Sequence, residues 1–387
     1  MKVCYVCCEY PPALHGGIGS VVQSTAKALV RGGHEVRVIG IYPHNETAPE
    51  RADDAGVQVW RLRTSPAPLS WIPARYRLFK RVQEWSRKGE IDVVEVPDWE
   101  GLASFWPRLE IPVVTRLHGS LAYFGSEMDL PVKRTTFWLE SSSFHRADYC
   151  SSCSRYTAEK TSRIFGRHPK PMTVVYNSVS FSNSAEDTAR DPNTVVFAGT
   201  LTRKKGIIQL VKAWPKVHSL NPSAQLHIYG KDAGLEDGSP MEPYLKSLLA
   251  DEIRETVHFH GHVSMAQLRT VYKNCRMAIF PSYVEAFAMA PMEAMAEGCP
   301  VVCSNRSSGP EMVQHERDGL LVDPDSESGI AESVLRLLED DALAARLGRA
   351  GRETIRERFC SESVVNQLVD FYSKCRGGFR KNGGSRN

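Results

Sequence analysis

The segment SVSFSNSAEDTARDPNTVVFAG, residues 178–199, changes character part-way along its length. As far as Asn193 it is polar and without periodicity, the composition of a linker. From Thr194 it becomes a β-branched apolar run closed by Gly199, which is the pattern of a buried strand. The same kind of sequence lies on both sides. Upstream, KVCYVCC, EVRVIGI, IDVVEV, PVVTRL and MTVVYN alternate with helix-length amphipathic stretches, the first starting near Ser20. Downstream, TVVFAG, QLHIYG, VHFHG, MAIFPS and PVVCS alternate with helices expected near 206–219, 242–252, 264–274 and 291–298. Such alternation builds parallel, doubly wound sheets. The expected fold is therefore α/β, with two Rossmann-like domains at 1–177 and 194–360 joined by the linker 178–193. Residues 361–374 read as a C-terminal helix able to pack back on the first domain. CRGGFRKNGGSRN, 375–387, reads as a disordered basic tail.

Composition agrees with two cores: the chain has 387 residues, of which 42% are hydrophobic. Forty-eight Lys and Arg against 45 Asp and Glu give a net charge of +3, which argues against a protein devoted to coating nucleic acid. The apolar run Val3 to Cys8 stops at Glu9, so no signal peptide is expected, and no run approaches a membrane span. The expectation is a soluble, cytoplasmic chain. Cys4 with Cys7 and Cys150 with Cys153 each form C-x-x-C. In a strand the odd offset of the first pair sends its thiols to opposite faces, so reduced, partly buried thiols are expected rather than a disulfide or zinc site.

In open parallel sheets ligands gather beyond the carboxyl ends of the strands. After the first strand comes EYPPALHGGIGS, where Gly16, Gly17 and Gly19 let backbone N–H groups approach a phosphate ahead of a helix. The spacing is not the dinucleotide G-x-G-x-x-G, so a tight turn stays open as the alternative. After the first strand of the second domain, FAGTLTRKKGI carries Arg203, Lys204 and Lys205, which would neutralise a diphosphate or simply face water. TRLHGS puts His118 directly after an apolar strand, in a structural or a functional role. In YVEAFAMAPMEAMAEGCPVV, residues 283–302, Pro291 suits the first turn of a helix and disfavours helical geometry at Ala290. A helix is expected to start near Pro291, with Glu285 in the loop ahead of it, Glu293 in its first turn and Glu297 solvated at its far end. Such a helix start attracts anions.

Together these motifs match a family. Gly-Gly-Ile-Gly after the first strand, His-Gly after a middle strand, Gly-x6-Gly with Lys before the second Gly, and Glu-x7-Glu followed by Gly-Cys-Pro-Val resemble glycosyltransferase family 4, the retaining nucleotide-sugar transferases of the GT-B fold. Order and spacing agree across residues 1 to 375. The resemblance implies two Rossmann-like domains facing a central cleft, acceptor side first and donor side second. It implies a donor diphosphate held by Gly16, Gly17, Arg203, Lys204 and Lys205, helped by backbone around Phe287, Ala288 and Met289. Glu285 would address the transferring sugar, Glu293 the ribose hydroxyls, and His118 the sugar from the first domain. No cofactor and no metal are implied. Thr200 stands where many relatives carry Arg, and Ala286 and Ala288 stand where the family loop often has Gly. A nucleotide-sugar epimerase and a non-catalytic GT-B module are the rival readings.

Three other stretches bear on partners. His258, His260 and His262 alternate and would share one face of a strand, but no carboxylate interleaves with them, so a metal is not expected. Asp323-Pro324-Asp325 reads as a turn. WIPARYRLFKRVQEWSRKG, 71–89, is a basic amphipathic helix that either packs its aromatic face on the first sheet or lies on anionic lipid at the inner face of a membrane. The second case would favour a lipid-linked acceptor over another glycan or a small molecule.

Overall fold

The computed structural model of the chain describes residues 1–13, 16–181 and 189–383. They divide into two compact units, one made of Met1–Ser178 with the segment from Ser361, the other of Val179–Cys360.

The first unit is built on the strands β1 (Lys2–Val6), β2 (Glu35–Tyr42), β3 (Arg51–Asp54), β4 (Val57–Arg63), β5 (Val93–Pro97), β6 (Val113–Leu117), β7 (Tyr149–Ser152) and β8 (Thr173–Val174), in the order β3-β4-β2-β1-β5-β6-β7-β8. Neighbours are parallel except β3 and β4, an antiparallel pair at the edge. From β1 the chain winds outward through β2 and β4, then crosses back to place β5 on the other side of β1. That reversal makes the gap between the loops after β1 and β5 a topological switch point.

Alternation along β1 supplies both faces of the sheet. Val3 and Tyr5 join Val22 and Leu29 of the helix Gly17–Arg31, whereas Cys4 and Val6 join Leu78, Val82 and Trp85 of the helix Trp71–Arg87. Cys7 lies with the first group and Cys4 with the second, and all ten cysteines are free thiols. With both faces covered, the central strands are mostly apolar, which is why they are legible as sequence runs, although β5 buries Glu95 and β6 buries Thr115 and Arg116. β3 and β7 are not, since RADD is a polar edge and YCSS buries small polar residues.

The second unit carries β9 (Asp191–Ala198), β10 (Gln225–Tyr229), β11 (Val257–Phe259), β12 (Cys275–Phe280), β13 (Val301–Ser304) and β14 (Leu320–Val322), all parallel in the order β11-β10-β9-β12-β13-β14. Its switch point lies between β9 and β12. Trp214 of the helix Ile207–Leu220 is fully buried in this core and donates its indole N–H to Thr256 Oγ1 at 2.9 Å. β9 begins at Asp191, inside the stretch that reads as linker; residues 182–188 of that stretch lie outside the described residues.

Two element ends differ from expectation. The helix expected near 291–298 spans Met289–Ala296, because Ala288 in extended geometry serves as its N-cap and Pro291 falls in the first turn rather than at the first position. The C-terminal helix does not give way to a disordered tail at 375 but runs from Ser361 to Gly383, and residues 384–387 of that stretch lie outside the described residues. Its apolar stripe of Val364, Val365, Leu368, Phe371 and Tyr372 continues at buried Cys375, and Arg108 lies over the ring of Phe379, so packing extends the helix through Gly377 and Gly378. Tyr372 also donates to the buried carboxylate of Glu95 at 2.7 Å. Among the described residues no helix is long and apolar enough to cross a membrane.

If this stripe holds the first unit together, Leu368→Ala lowers its stability by about 2–5 kcal/mol in urea unfolding. The neighbouring Lys374→Ala, on the exposed side of the same helix, leaves the midpoint where it was.

Candidate functional site

In the second unit the switch point brings together loops that are far apart in sequence. The loop after β9 carries a short turn at Arg203–Lys205, and the loop after β12 carries Glu285. The Lys205 ammonium and the Glu285 carboxylate form a partly buried salt bridge, with side chains 25% and 17% exposed. Backbone ties the loops as well, since Tyr283 N–H donates to the Lys204 carbonyl at 2.7 Å. Between them Gly206 adopts φ +71°, and a Cβ there would stand 1.9 Å from the Pro281 carbonyl oxygen. Only glycine permits that approach.

Glu285 sits just ahead of the helix Met289–Ala296, whose N-terminus has no side-chain cap and no acid in its first turn. That end is disposed toward an anion. Phe287 and Ala288 are buried, and the Phe287 ring packs inward on Phe359, 5.7 Å between centroids. Lys204 is half-buried; burial lowers its pKa, Glu285 opposing and Lys205 adding to the effect. Arg203 points elsewhere, forming an exposed pair with Glu236 at 3.5 Å. The expected trio of cations is thus split, with Lys204 and Lys205 beside Glu285 and Arg203 outside.

Glu293 lies in the second turn of its helix, not the first, as a consequence of the earlier helix start. Burial pushes its pKa up to about 7, with Arg269 the charge that pulls it back. Glu297 is not a solvated end residue: its side chain is 7% exposed and lies 3.9 Å from Arg269 and 3.8 Å from Lys273. His258 belongs to β11, while His260 and His262 fall in the loop beyond it. His258 bonds Gln225 Oε1 at 2.8 Å, and His260 stacks on Tyr229 and contacts His227 Nδ1 at 2.9 Å. Asp323 and Asp325 form a turn clamped by Arg306.

In the first unit His118 follows β6 at the sheet's carboxyl end. Burial, helped by Arg116, lowers its pKa well below the ordinary value, so the imidazole is neutral near pH 7. Its loop is held from beneath. Buried Asp98, just after β5, accepts from His118 N–H at 2.9 Å and Gly119 N–H at 3.2 Å; buried Glu140 accepts from Leu121 and Ala122 N–H at 3.0 Å. Burial pushes the Asp98 pKa up to about 7 even against those two bonds. Gly16 is the N-cap of the helix Gly17–Arg31, and a Cβ at Gly17 would meet nothing within 4 Å. The N–H of Gly19 donates to Glu9 Oε1 at 2.6 Å, so a carboxylate of the chain itself occupies this helix start.

Residues 16–178 match the glycosyl transferase 4-like domain, and residues 181–354 match glycosyl transferases group 1. An uncharacterized glycosyltransferase of Methanocaldococcus jannaschii is 27% identical over 96% of this chain and 98% of its own. The chain belongs to the GT-B glycosyltransferase superfamily. In fold, this glycosyltransferase is similar to sucrose-phosphate synthase from Thermosynechococcus elongatus, with a TM-score of 0.79 over 97% of this chain and 99% of that one at 21% identity. A protein of Anabaena solved in complex with UDP-glucose gives 0.73 over 97% and 100% at 18% identity.

Asp98, Glu140 and Glu9 were not singled out in the sequence of this glycosyltransferase. Asp98 directly follows a strand and was open to the same rule that selected His118; Glu140, mid-helix, carries no local signal.

The raised pKa of Glu293 has a consequence for stability. In the folded state it keeps its proton to about pH 7, whereas at its ordinary value of 4.5 the unfolded chain has already lost it. Stability from this group is full below about pH 4.5 and declines as pH rises to about 7. Glu293→Gln is expected to match the parent at pH 4 and to exceed it at pH 8 by on the order of 1–3 kcal/mol, read by urea unfolding at both values.

Proposed function

We propose that this glycosyltransferase moves a hexosyl unit from a nucleotide diphosphate sugar to a hydroxyl of a glycan, lipid-linked or small-molecule acceptor, with retention at the anomeric carbon and without a metal. The observation that carries the reading is the Lys205–Glu285 pair at the carboxyl ends of β9 and β12, directly before an uncapped helix N-terminus. Departure of a nucleoside diphosphate builds negative charge on its oxygens. Lys204, Lys205 and the helix end supply the fixed positive field that a metal ion would otherwise provide. At the same moment positive charge develops at the anomeric carbon, and the Glu285 carboxylate is the group suited to offset it. Arg203 is assigned to the outer phosphate oxygens, whereas the helix start at Gly16 and Gly17 is already occupied by Glu9 and is given no such role. The backbone around Phe287 to Met289 assists at the helix start, and Glu293 takes the ribose hydroxyls. His118, neutral through burial, is suited to hydrogen-bond a sugar hydroxyl. The complex of the Anabaena protein with UDP-glucose supports a nucleotide-sugar donor.

A peripheral contact with an anionic membrane belongs to the same proposal. The helix Trp71–Arg87 packs Leu78, Phe79, Val82 and Trp85 on the sheet, yet leaves Trp71, Ile72 and Tyr76 exposed beside Arg77 and Lys80. Co-sedimentation with phosphatidylglycerol vesicles, reduced in a Trp71→Ala/Ile72→Ala/Tyr76→Ala variant, is the expected result. No sedimentation of the parent chain rejects the contact.

Steady-state kinetics separate the two glutamates. Glu285→Gln is expected to lower kcat by about 10- to 1,000-fold, because its carboxylate acts mainly as charge develops. Glu293→Gln is expected to raise the donor KM by about tenfold with kcat nearly kept, since ribose contacts change little along the reaction. Both effects persist in EDTA. Equal, small losses in the two variants remove the distinct roles, and full inactivation by EDTA reversed by magnesium removes the metal-free reading. Turnover of donor without acceptor into a second nucleotide sugar points to the epimerase.

A further inference from the structure

A second ligand site is built into the first unit, at the opposite end of its sheet from His118. A cavity of about 580 Å³ is lined by Ala103, Trp106, Arg108, Val113, Ser143 and Arg146, with Asp148 among its remaining walls. Val113 is the first residue of β6 and Asp148 directly precedes β7, so the cavity opens at the amino ends of these strands. His118 follows the carboxyl end of β6, about 16 Å away at strand rise. The cavity is therefore separate from the site described above.

Its polar inventory is one-sided. The Trp106 indole N–H and the Ser143 hydroxyl are buried without a hydrogen-bond partner among the described residues, though their residues are only 7% and 1% exposed. Both atoms lie sealed within the wall, out of reach of a molecule in the cavity. Arg108 and Arg146 form no salt bridge among the described residues; both are held in place, Arg108 over the Phe379 ring at 5.3 Å and Arg146 by donation to the Trp106 carbonyl at 3.3 Å. The acceptor of the lining, Asp148, already takes the Val113 N–H on Oδ2 at 2.9 Å and has Arg108 and Lys170 for neighbours. Two exposed guanidinium groups thus stand at the cavity, with Asp148 the carboxylate among its walls. A ligand that satisfies them is rich in acceptors and negatively charged, and two guanidinium forks suit a phosphate.

The volume falls within the range of about 300–1,000 Å³ seen for small-molecule sites and exceeds what an inorganic ion fills. Pro107, Leu109 and Val113 give an organic body apolar surface to rest on. We propose that this cavity binds a soluble organic phosphate monoester, its phosphoryl oxygens on Arg108 and Arg146.

Isothermal titration of the full chain with glycerol 3-phosphate tests this, with inorganic phosphate as the bodiless comparison. Saturable binding is expected, tighter for the ester than for the ion. Arg108→Gln/Arg146→Gln, which alters exposed side chains and spares the core, is expected to weaken it at least tenfold, as loss of charge-assisted hydrogen bonds does. Lys205→Ala, in the other unit, is expected to leave it unchanged. No heat of binding up to about 10 mM ester overturns the proposal, as does binding that survives the double Arg variant and disappears with Lys205→Ala.

Discussion

The candidate donor site depends on the parallel pairing of β9 with β12. The chain leaves β9, runs outward through β10 and β11, and returns to lay β12 on β9's other side, so two loops eighty residues apart meet at one edge of the sheet. Their meeting is close enough to need a missing atom. A Cβ at Gly206 would collide with the Pro281 carbonyl, and two residues beyond Pro281 the Tyr283 N–H donates to the Lys204 carbonyl. Lys205 and Glu285 then face each other as a matter of backbone geometry rather than of side-chain reach. Rigid supports of this kind make an electrostatic site useful, because its charges are oriented before the substrate arrives.

The first unit solves a similar problem with carboxylates instead of a glycine. Asp98 and Glu140 are taken out of water and spent on backbone N–H groups around His118 and the helix start that follows it. Burial would be costly for an unpartnered acid; here the N–H groups are themselves orphans of a loop and a helix end, so each satisfies the other. The arrangement fixes the loop while leaving the imidazole neutral. A neutral ring both donates and accepts, which suits a polyhydroxyl substrate better than a cation does.

Charge placement separates the two ends of the first sheet. At the carboxyl end the backbone donors near His118 and at the start of the Gly17–Arg31 helix are already matched by Asp98, Glu140 and Glu9. At the amino end, the guanidinium groups of Arg108 and Arg146 outnumber the one carboxylate of the same cavity, Asp148.

Sequence by itself determined the architecture: apolar runs such as TVVFAG and PVVTRL are continuous because both faces of their strands are covered, and that burial leaves a direct trace in composition. It also pointed to Lys205, Glu285 and His118, because residues directly after a parallel strand fall at the ligand edge whatever the rest of the fold does. Tertiary structure alone decided which of these groups meet. Three consecutive cations look equivalent as RKK, yet one short turn sends Arg203 to Glu236 and Lys205 to Glu285. Glu293 reads as a first-turn donor-binding residue and Glu297 as a solvated helix end, and only the fold shows both withdrawn from water near Arg269. The tail from 375 looked disordered on composition, but its apolar stripe found a surface far away in sequence to cover. Long-range burial of this kind leaves no local pattern, so neither the extended helix nor the clamp made by Glu140 was readable before the chain was folded.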